Sequence, residues 1–100
     1  MIKHVVMWRL HEQADGRSKK ENIKIFLEQL AELPDQIPQI ISFNYGANSI
    51  EQKEQADVVL IAEFKDKQAL EAYRSHPAHM EFIESIKSFR FERRVVDIEY

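Results

Sequence analysis

The segment from Ala56 to Phe64 constrains the fold more than any other, because it is a predicted strand with apolar side chains on both sides. Side chains alternate along a strand, so Val58 and Leu60 face one side of the sheet. Val59 and Ile61 face the other side. A solvated face of an antiparallel sheet normally carries polar side chains. The pattern therefore predicts a sheet that needs a cover on each face.

The first predicted strand has the same two-sided character. The run Ile2–Leu10 is rich in Val, Met and Trp and is followed by polar residues, which favours a strand. His4 falls on one face together with Trp8. Val5 and Met7 fall on the opposite face. This strand therefore also supplies apolar side chains to both sides of the sheet.

Capping residues and prolines set the predicted helices. Ser18 and Glu21 have the spacing of a capping box that begins a helix, and Asp66 can cap a second one. The segment Leu33–Pro38 is predicted to be a connection, because its prolines cannot continue the first helix. The His76–Pro77 pair ends the second helix and begins a third. The chain is thus expected to carry one single helix and one helix pair.

The order of the elements predicts the fold class. Alternating apolar residues indicate further strands around Phe43 and Tyr45 and over Arg94–Tyr100, which gives the order strand, helix, strand, strand, helix pair, strand. This is the α+β ferredoxin-like βαββαβ sandwich, with an antiparallel sheet and helices on one side. We expect a second copy to cover the other side, as a homodimer through the sheet face that closes into a dimeric α/β barrel. The residues expected at or near that face are Val5, Met7, Val59 and Ile61.

Composition and charge exclude several classes of function. The 100 residues are expected to form one domain spanning 1–100. A net charge of -3 gives no attraction for nucleic acid or for an anionic membrane, so neither is an expected partner. The lack of cysteine excludes disulfides, thiolate nucleophiles and cysteine-bound zinc. No apolar run is long enough for a spanning helix or a signal peptide, and a cytoplasmic location is the default.

The segment from Tyr73 to His79 offers acid/base chemistry, because it sets a phenol and two imidazoles around a helix break. On an apolar helix face, a neutral His79 can take a proton near neutral pH and return it. Tyr73 can hold or polarise a carbonyl oxygen. Six residues apart on a continuous helix they would face different ways, so a shared site depends on the turn at Pro77. We predict both as catalytic residues, and the alternative for each is a packing role with its polar group satisfied.

Other side chains are candidates for contact with a ligand. His4 needs a partner on its apolar face, so it either lines a cavity or bonds a buried helix group. An arginine such as Arg93 suits a carboxylate or an enolate, although a solvated rim position is the alternative. His76 and His79 could in principle share a metal, but Pro77 separates them and a helix cap suits His76 better, so we predict no metal site. The predicted ligand-binding set is His4, Val6, Trp8, Phe26, His76 and Arg93, with a core position as the simplest alternative for Trp8 and Phe26.

No Gly-rich phosphate loop, dinucleotide-binding turn or serine nucleophile elbow occurs in the sequence. Taken together, Ile2–His4, the strand 56–64 and the segment Tyr73–His79 resemble the stress-responsive dimeric α/β-barrel (Dabb) family. The resemblance covers essentially the whole chain, and its most specific elements are the early His4 and the His-Pro-Ala-His run. It implies a ferredoxin-like protomer and a homodimeric barrel. Most members have no assigned reaction, and some plant members are associated with stress.

One plant member, olivetolic acid cyclase, performs a cofactor-free aldol cyclisation of a linear polyketide. Its catalytic tyrosine and histidine match Tyr73 and His79, and a pocket histidine matches His4. Where that cyclase has apolar pocket residues, this chain has Arg90 and Arg93, which suit a carboxylate or an enolate better than an alkyl tail.

Three functions remain open from the sequence. The first is binding of a small carbonyl or carboxylate compound, with acid/base chemistry of the aldol or isomerisation type that needs no cofactor. The second is a non-catalytic dimer that binds a small ligand or contributes to stress tolerance by its stability alone. The third is a cofactor-free monooxygenase. A cavity that joins His4, Tyr73 and His79 would favour the first, and a solid core there would oppose it.

Overall fold

The computed structural model describes residues 1–100, and its ten elements follow the predicted order with three small additions. The elements are β1 Ile2–Leu10, β2 Gln13–Ala14, β3 Arg17–Ser18, α1 Lys19–Ala31, α2 Leu33–Gln36, β4 Ser42–Ala47, β5 Val58–Phe64, α3 Lys67–Ser75, α4 Pro77–Ile86 and β6 Arg90–Glu99. The main sheet has the strand order β4-β5-β1-β6, and every neighbouring pair is antiparallel. This is the ferredoxin-like α+β fold that the sequence predicted.

Strand register decides which side chains share a face. In the centre of the sheet, His4 lies opposite Ala62 of β5 and Asp97 of β6, and Trp8 lies opposite Val58 and Arg93. These residues belong to the side that the helices cover, which we call the helix face. The opposite side, which no element covers, is the open face; it carries Val5, Met7, Val59, Ile61, Val96 and Ile98.

The N-terminus of α1 forms as expected. Ser18 accepts a hydrogen bond from the Glu21 backbone N–H, and the Glu21 carboxylate accepts one from the Ser18 N–H, both at 3.2 Å. The capping box is therefore confirmed. Before it, the loop contains the small hairpin β2–β3, whose turn residues Asp15 and Gly16 both have positive φ, as a two-residue turn of type I′ requires.

Two expectations about element boundaries were wrong. The segment Leu33–Gln36 is the short helix α2 rather than an irregular connection, because Pro34 stands in the first turn, where no amide donor is needed. The last strand begins at Arg90 instead of Arg94. Pairing with β1 extends β6, since its backbone bonds continue as far as Leu10 despite the charged side chains.

The core lies between the helix face and the helices. Eighteen buried apolar residues form one cluster, in which Phe26, Leu30 and Ile37 are completely buried. Phe26 of α1 packs its ring edge-on against Trp8 of β1 and Phe82 of α4. These aromatic contacts join the single helix and the helix pair to the same strand. None of the helices is both long enough and apolar enough to cross a membrane.

Candidate active site between the sheet and the helix pair

A cavity of about 340 Å³ lies between the helix face of the sheet and the helix pair α3–α4. Its volume is in the range of small-molecule binding sites. The lining residues are His4, Val6, Trp8, Leu60, Tyr73, Arg74, His79, Phe82, Ile83, Ile86, Arg90 and Arg93. Six of the eight candidate site residues are therefore brought together: His4, Val6, Trp8, Tyr73, His79 and Arg93.

The other two candidates, Phe26 and His76, do not line the cavity. Phe26 has no exposed surface and is held among core rings, since its edge packs on Trp8 and Phe82. The His76 ring faces its own helix, where Nδ1 accepts a hydrogen bond of 3.0 Å from the Ala78 N–H. Both positions agree with the structural alternatives given by the sequence, a core phenylalanine and a helix-capping histidine.

The helix break brings Tyr73 and His79 into contact. His76 has an extended backbone conformation (φ -64°, ψ 136°) between α3 and α4, which changes the direction of the chain. As a result, the Tyr73 and His79 ring centroids lie 4.4 Å apart. A continuous helix would have separated them, so the proline-marked turn is what makes one site of the two residues.

The hydrogen bond of His79 fixes its tautomer. Its Nδ1 lies 3.0 Å from the backbone carbonyl oxygen of Arg74. A carbonyl oxygen can only accept, so Nδ1 carries the hydrogen, and in the neutral ring Nε2 keeps a lone pair. Burial lowers the pKa of His79, against the raising effect of the Arg74 carbonyl, and the nearby His4, Arg93 and Arg74 side chains lower it further. The ring is therefore neutral at neutral pH and able to accept a proton.

His4 is held in the same way by a partner on the sheet. Its Nδ1 lies 2.5 Å from Oδ1 of Asp97, directly across the β1–β6 ladder, so that the carboxylate accepts and Nε2 is left unprotonated. The other carboxylate oxygen accepts a hydrogen bond of 2.8 Å from Arg74. Burial lowers the pKa of His4, outweighing the neighbouring Asp97, which raises it. His4 thus lines the cavity, but its partner comes from a strand rather than from a helix.

Asp97 and Arg74 are functional candidates that sequence reasoning missed. Asp97 stands in a strand whose neighbours Val96 and Ile98 point to the open face, so its alternation placed it on the helix face. The alternation of β6 could have placed Asp97 on the helix face from the sequence. Only the register of β6 against β1 shows that it lies beside His4. Arg74 follows Tyr73 directly, lines the same cavity and binds Asp97.

The Tyr73 hydroxyl is an unpartnered donor in the cavity wall. The residue is only 1% exposed, but its hydroxyl has no hydrogen-bond partner in the protein and is not among the fully buried polar atoms, so it keeps its accessible surface at the cavity. Burial raises the pKa of Tyr73 far above its usual value, so the group is a neutral phenol that can donate a hydrogen bond. A buried hydroxyl normally has a partner. Here the position of that partner is open to a ligand.

No group of three or more His, Cys, Asp or Glu side chains is placed to hold a metal ion. The cavity instead combines one phenol, two imidazoles with unprotonated Nε2 atoms, and three arginines, Arg74, Arg90 and Arg93. These groups can bind an oxygen-bearing compound and move a proton on it.

The fold and this cavity define a ferredoxin-like α+β protein with a small-molecule-sized site between sheet and helices. The sequence profile of the Stress responsive A/B Barrel Domain (Dabb) family matches residues 2–100. The chain belongs to this family, as the residue pattern had predicted.

Solved structures agree with this placement. A dimeric ferredoxin-like protein of unknown function from Jannaschia sp. CCS1 is 30% identical, with a TM-score of 0.76 over 99% of this chain and 98% of that one. A dimeric protein of unknown function and ferredoxin-like fold from Bacteroides fragilis is 25% identical, with a TM-score of 0.83 over 99% and 95%. The hydroxynitrile lyase from Passiflora edulis is 15% identical, with a TM-score of 0.78 over 97% and 90%, and shows the shared fold alone.

A search among curated proteins found no match to this chain. The resemblance of the site residues to olivetolic acid cyclase stays a prediction, because none of these similarities reaches that enzyme.

Proposed function

We propose that the cavity binds a small carbonyl or carboxylate compound and that Tyr73 and His79 carry out acid/base chemistry on it without a cofactor. The observation that carries the proposal is the unpartnered hydroxyl of Tyr73 beside a histidine whose Nε2 is unprotonated. A donor for an oxygen and an acceptor for a proton are the two groups that enolisation needs.

The chemistry follows from these two groups. Nε2 of His79 removes a proton from the carbon next to the carbonyl, and the C–H electron pair moves to the carbonyl oxygen to form an enolate. The Tyr73 hydroxyl donates a hydrogen bond to that oxygen. Return of the proton to another atom gives an isomerisation, and attack of the enolate carbon on a second carbonyl gives an aldol cyclisation. His4 completes the wall as a second hydrogen-bonding group.

Solvent deuterium exchange tests the proposal directly. The protein is incubated in D₂O with pentan-2-one and with 2-, 3- and 4-oxopentanoate, and exchange next to the carbonyl is followed by NMR. We expect exchange above the buffer rate, and a loss of about 10² to 10⁴ in rate for His79→Gln. Tyr73→Phe should lower the exchange rate by a similar factor while keeping the fold, which circular dichroism checks.

A matched control separates site chemistry from surface imidazole. His11→Gln removes an exposed histidine that follows β1 and does not line the cavity, and it should leave the exchange rate unchanged. Binding without exchange would favour the non-catalytic dimer. Consumption of oxygen with these compounds, measured with an electrode, would favour a cofactor-free monooxygenase. Exchange that is equal in the His79 and His11 variants would remove His79 as the base.

We also infer that the protein is a homodimer through the open face. Met7, Ile61, Val96 and Ile98 leave between 38% and 53% of their surface exposed on that face. Contiguous apolar surface of this kind is typical of an interaction site. The similar proteins from Jannaschia and Bacteroides are dimers, which supports a second copy of this chain as the cover.

A further inference from the structure

The arginines of this protein divide into two groups. The chain has six, and four of them have a carboxylate partner within 4.0 Å: Arg9, Arg17, Arg74 and Arg94. Arg90 and Arg93 have no such partner, and both line the cavity. The only arginines without a partner are therefore found at the candidate site.

Strand register places Arg93 at the cavity for a structural reason. It lies opposite Trp8 on the helix face, whereas the next residue, Arg94, lies opposite Met7 on the open face and pairs with Glu92. Arg90 lies opposite Leu10, one position beyond a register shift in β6. The two unpaired arginines thus come from the same strand and line the same cavity.

No carboxylate of the protein is available to neutralise these two charges. The nearby carboxylate, Asp97, already accepts from His4 with one oxygen and from Arg74 with the other. The two histidines of the site are neutral at neutral pH because burial lowers the pKa of each. The wall is therefore positive in a protein whose net charge is -3, and it attracts an anion locally.

The environment of Arg93 agrees with a missing anion. Although part of the Arg93 side chain is exposed to solvent, its partial burial and the positive charges of Arg90 and Arg74 lower the pKa of Arg93 from its usual value. A guanidinium stays protonated under such conditions, so its positive charge has no carboxylate to compensate it. A ligand carboxylate between Arg90 and Arg93 would compensate both charges.

We propose that the ligand of this cavity is a small oxo-carboxylate, whose carboxylate is bound by Arg93 and Arg90 while its keto oxygen accepts a hydrogen bond from Tyr73. The role of Tyr73 rests on the proposed function; the role of the arginines does not. Guanidinium groups match carboxylates in shape and charge. Arg93 is then a specificity-determining residue that selects anionic over neutral carbonyl compounds.

Calorimetric titration with matched ligands tests this selection. The probes are 4-oxopentanoate, its uncharged methyl ester, and propyl phosphate, all at the same ionic strength. We expect wild type to bind the oxo-carboxylate at least about tenfold more tightly than the ester. Arg93→Gln should remove most of this preference through weaker binding of the acid. Arg94→Gln, which removes a neighbouring charge on the other face, should keep it.

Several outcomes would overturn the proposal. They are equal binding of acid and ester, tighter binding of propyl phosphate than of 4-oxopentanoate, or the same loss in Arg94→Gln as in Arg93→Gln. A loss of preference in Arg93→Gln without loss of fold, shown by an unchanged melting temperature, supports it. Deuterium exchange keeps the two proposals separate: exchange of the ester at the rate of the acid leaves the enolisation intact and contradicts the arginine site. Selective binding of the acid without exchange supports the arginine site and contradicts the enolisation.

Discussion

The helix face and the open face are built from the same strands, yet their side chains have opposite surroundings. On the helix face of β1, Val6 and Trp8 are almost completely buried, whereas Met7 between them is 42% exposed on the open face. On β5 the same contrast separates buried Leu60 from Ile61. Alternation lets one strand contribute to a core and to a second apolar surface at once.

The polar groups of the two faces differ as well. The helix face buries His4 and contacts His79, and each has its Nδ1 satisfied while its Nε2 is left for the cavity. On the open face, Glu63 accepts hydrogen bonds from Ser42 and from the Tyr100 hydroxyl, so the polar groups at that end of the sheet satisfy one another. The covered side thus holds polar groups around a cavity of small-molecule size. The uncovered side is suited to a second protein surface.

The largest expected effect comes from the core beneath the helix face. Phe26→Ala removes a completely buried ring and should lower the free energy of unfolding by about 3–5 kcal/mol, because it leaves a cavity between α1, β1 and α4. Phe91→Ala, at an exposed ring, should cost less than about 1 kcal/mol. Urea unfolding of both variants measures the difference, and similar losses would contradict the placement of Phe26.

A charge on the open face should act on assembly instead of folding. Ile61→Lys places one lysine per protomer in the expected interface, close to its symmetry mate, and should weaken dimerisation by more than about 100-fold. Met80→Lys makes the same change at an exposed residue of α4 and should leave the dimer intact. Sedimentation at micromolar concentration distinguishes the two variants. A wild-type monomer would contradict the dimer itself.

A smaller effect is expected from the carboxylate that orients His4. Asp97→Asn leaves an amide that cannot accept from both His4 and Arg74, so the His4 ring loses its fixed tautomer. Ligand affinity or exchange rate should fall by about tenfold. Glu99→Gln removes a charge from the same strand at a residue with no side-chain hydrogen bond and should have no effect. Nitrogen chemical shifts of His4 report the tautomer, and a change without loss of affinity would limit Asp97 to a structural role.

The smallest effect concerns pH. Burial lowers the pKa of His79 below its usual 6.5, although the Arg74 carbonyl opposes this. The unfolded chain therefore binds a proton more readily than the folded one, and stability is lost as pH falls from 6.5 towards the lowered value. The groups that face His79 are His4, Tyr73, Arg74 and Arg93, and His4 contributes a loss of the same sign.

The variant His79→Gln isolates this contribution. On acidification from pH 7.5 to pH 5.5, the free energy of unfolding of wild type should fall by more than that of His79→Gln. Activity should fall over the lower part of the same range, since protonation removes the base. An NMR titration in which His79 behaves like a free, exposed imidazole would contradict both statements.

Most of the fold could be predicted from local patterns. The capping box at Ser18, the two-sided strand β5 and the helix break at Pro77 are each written in a few adjacent residues, and the structure has all three. The two wrong element boundaries lie where strand pairing, or the position of a residue within a helical turn, decides the local structure. Pro34 was compatible with a first helical turn, and β6 was lengthened to Arg90 by its hydrogen bonds to β1.

By itself, the sequence determined the element order and the residue types that can carry chemistry, because periodicity, caps and prolines act over a few residues. It singled out His4, Tyr73 and His79 without showing that they meet. Only the tertiary structure decided that they line one cavity, that Asp97 is the partner of His4, and that Arg93 lines this cavity while Arg94 lies on the open face. These facts depend on the register of β6 against β1. The backbone hydrogen bonds that set this register join strands whose paired residues, such as Trp8 and Arg93, are far apart in the sequence, and a one-residue slip would exchange the faces.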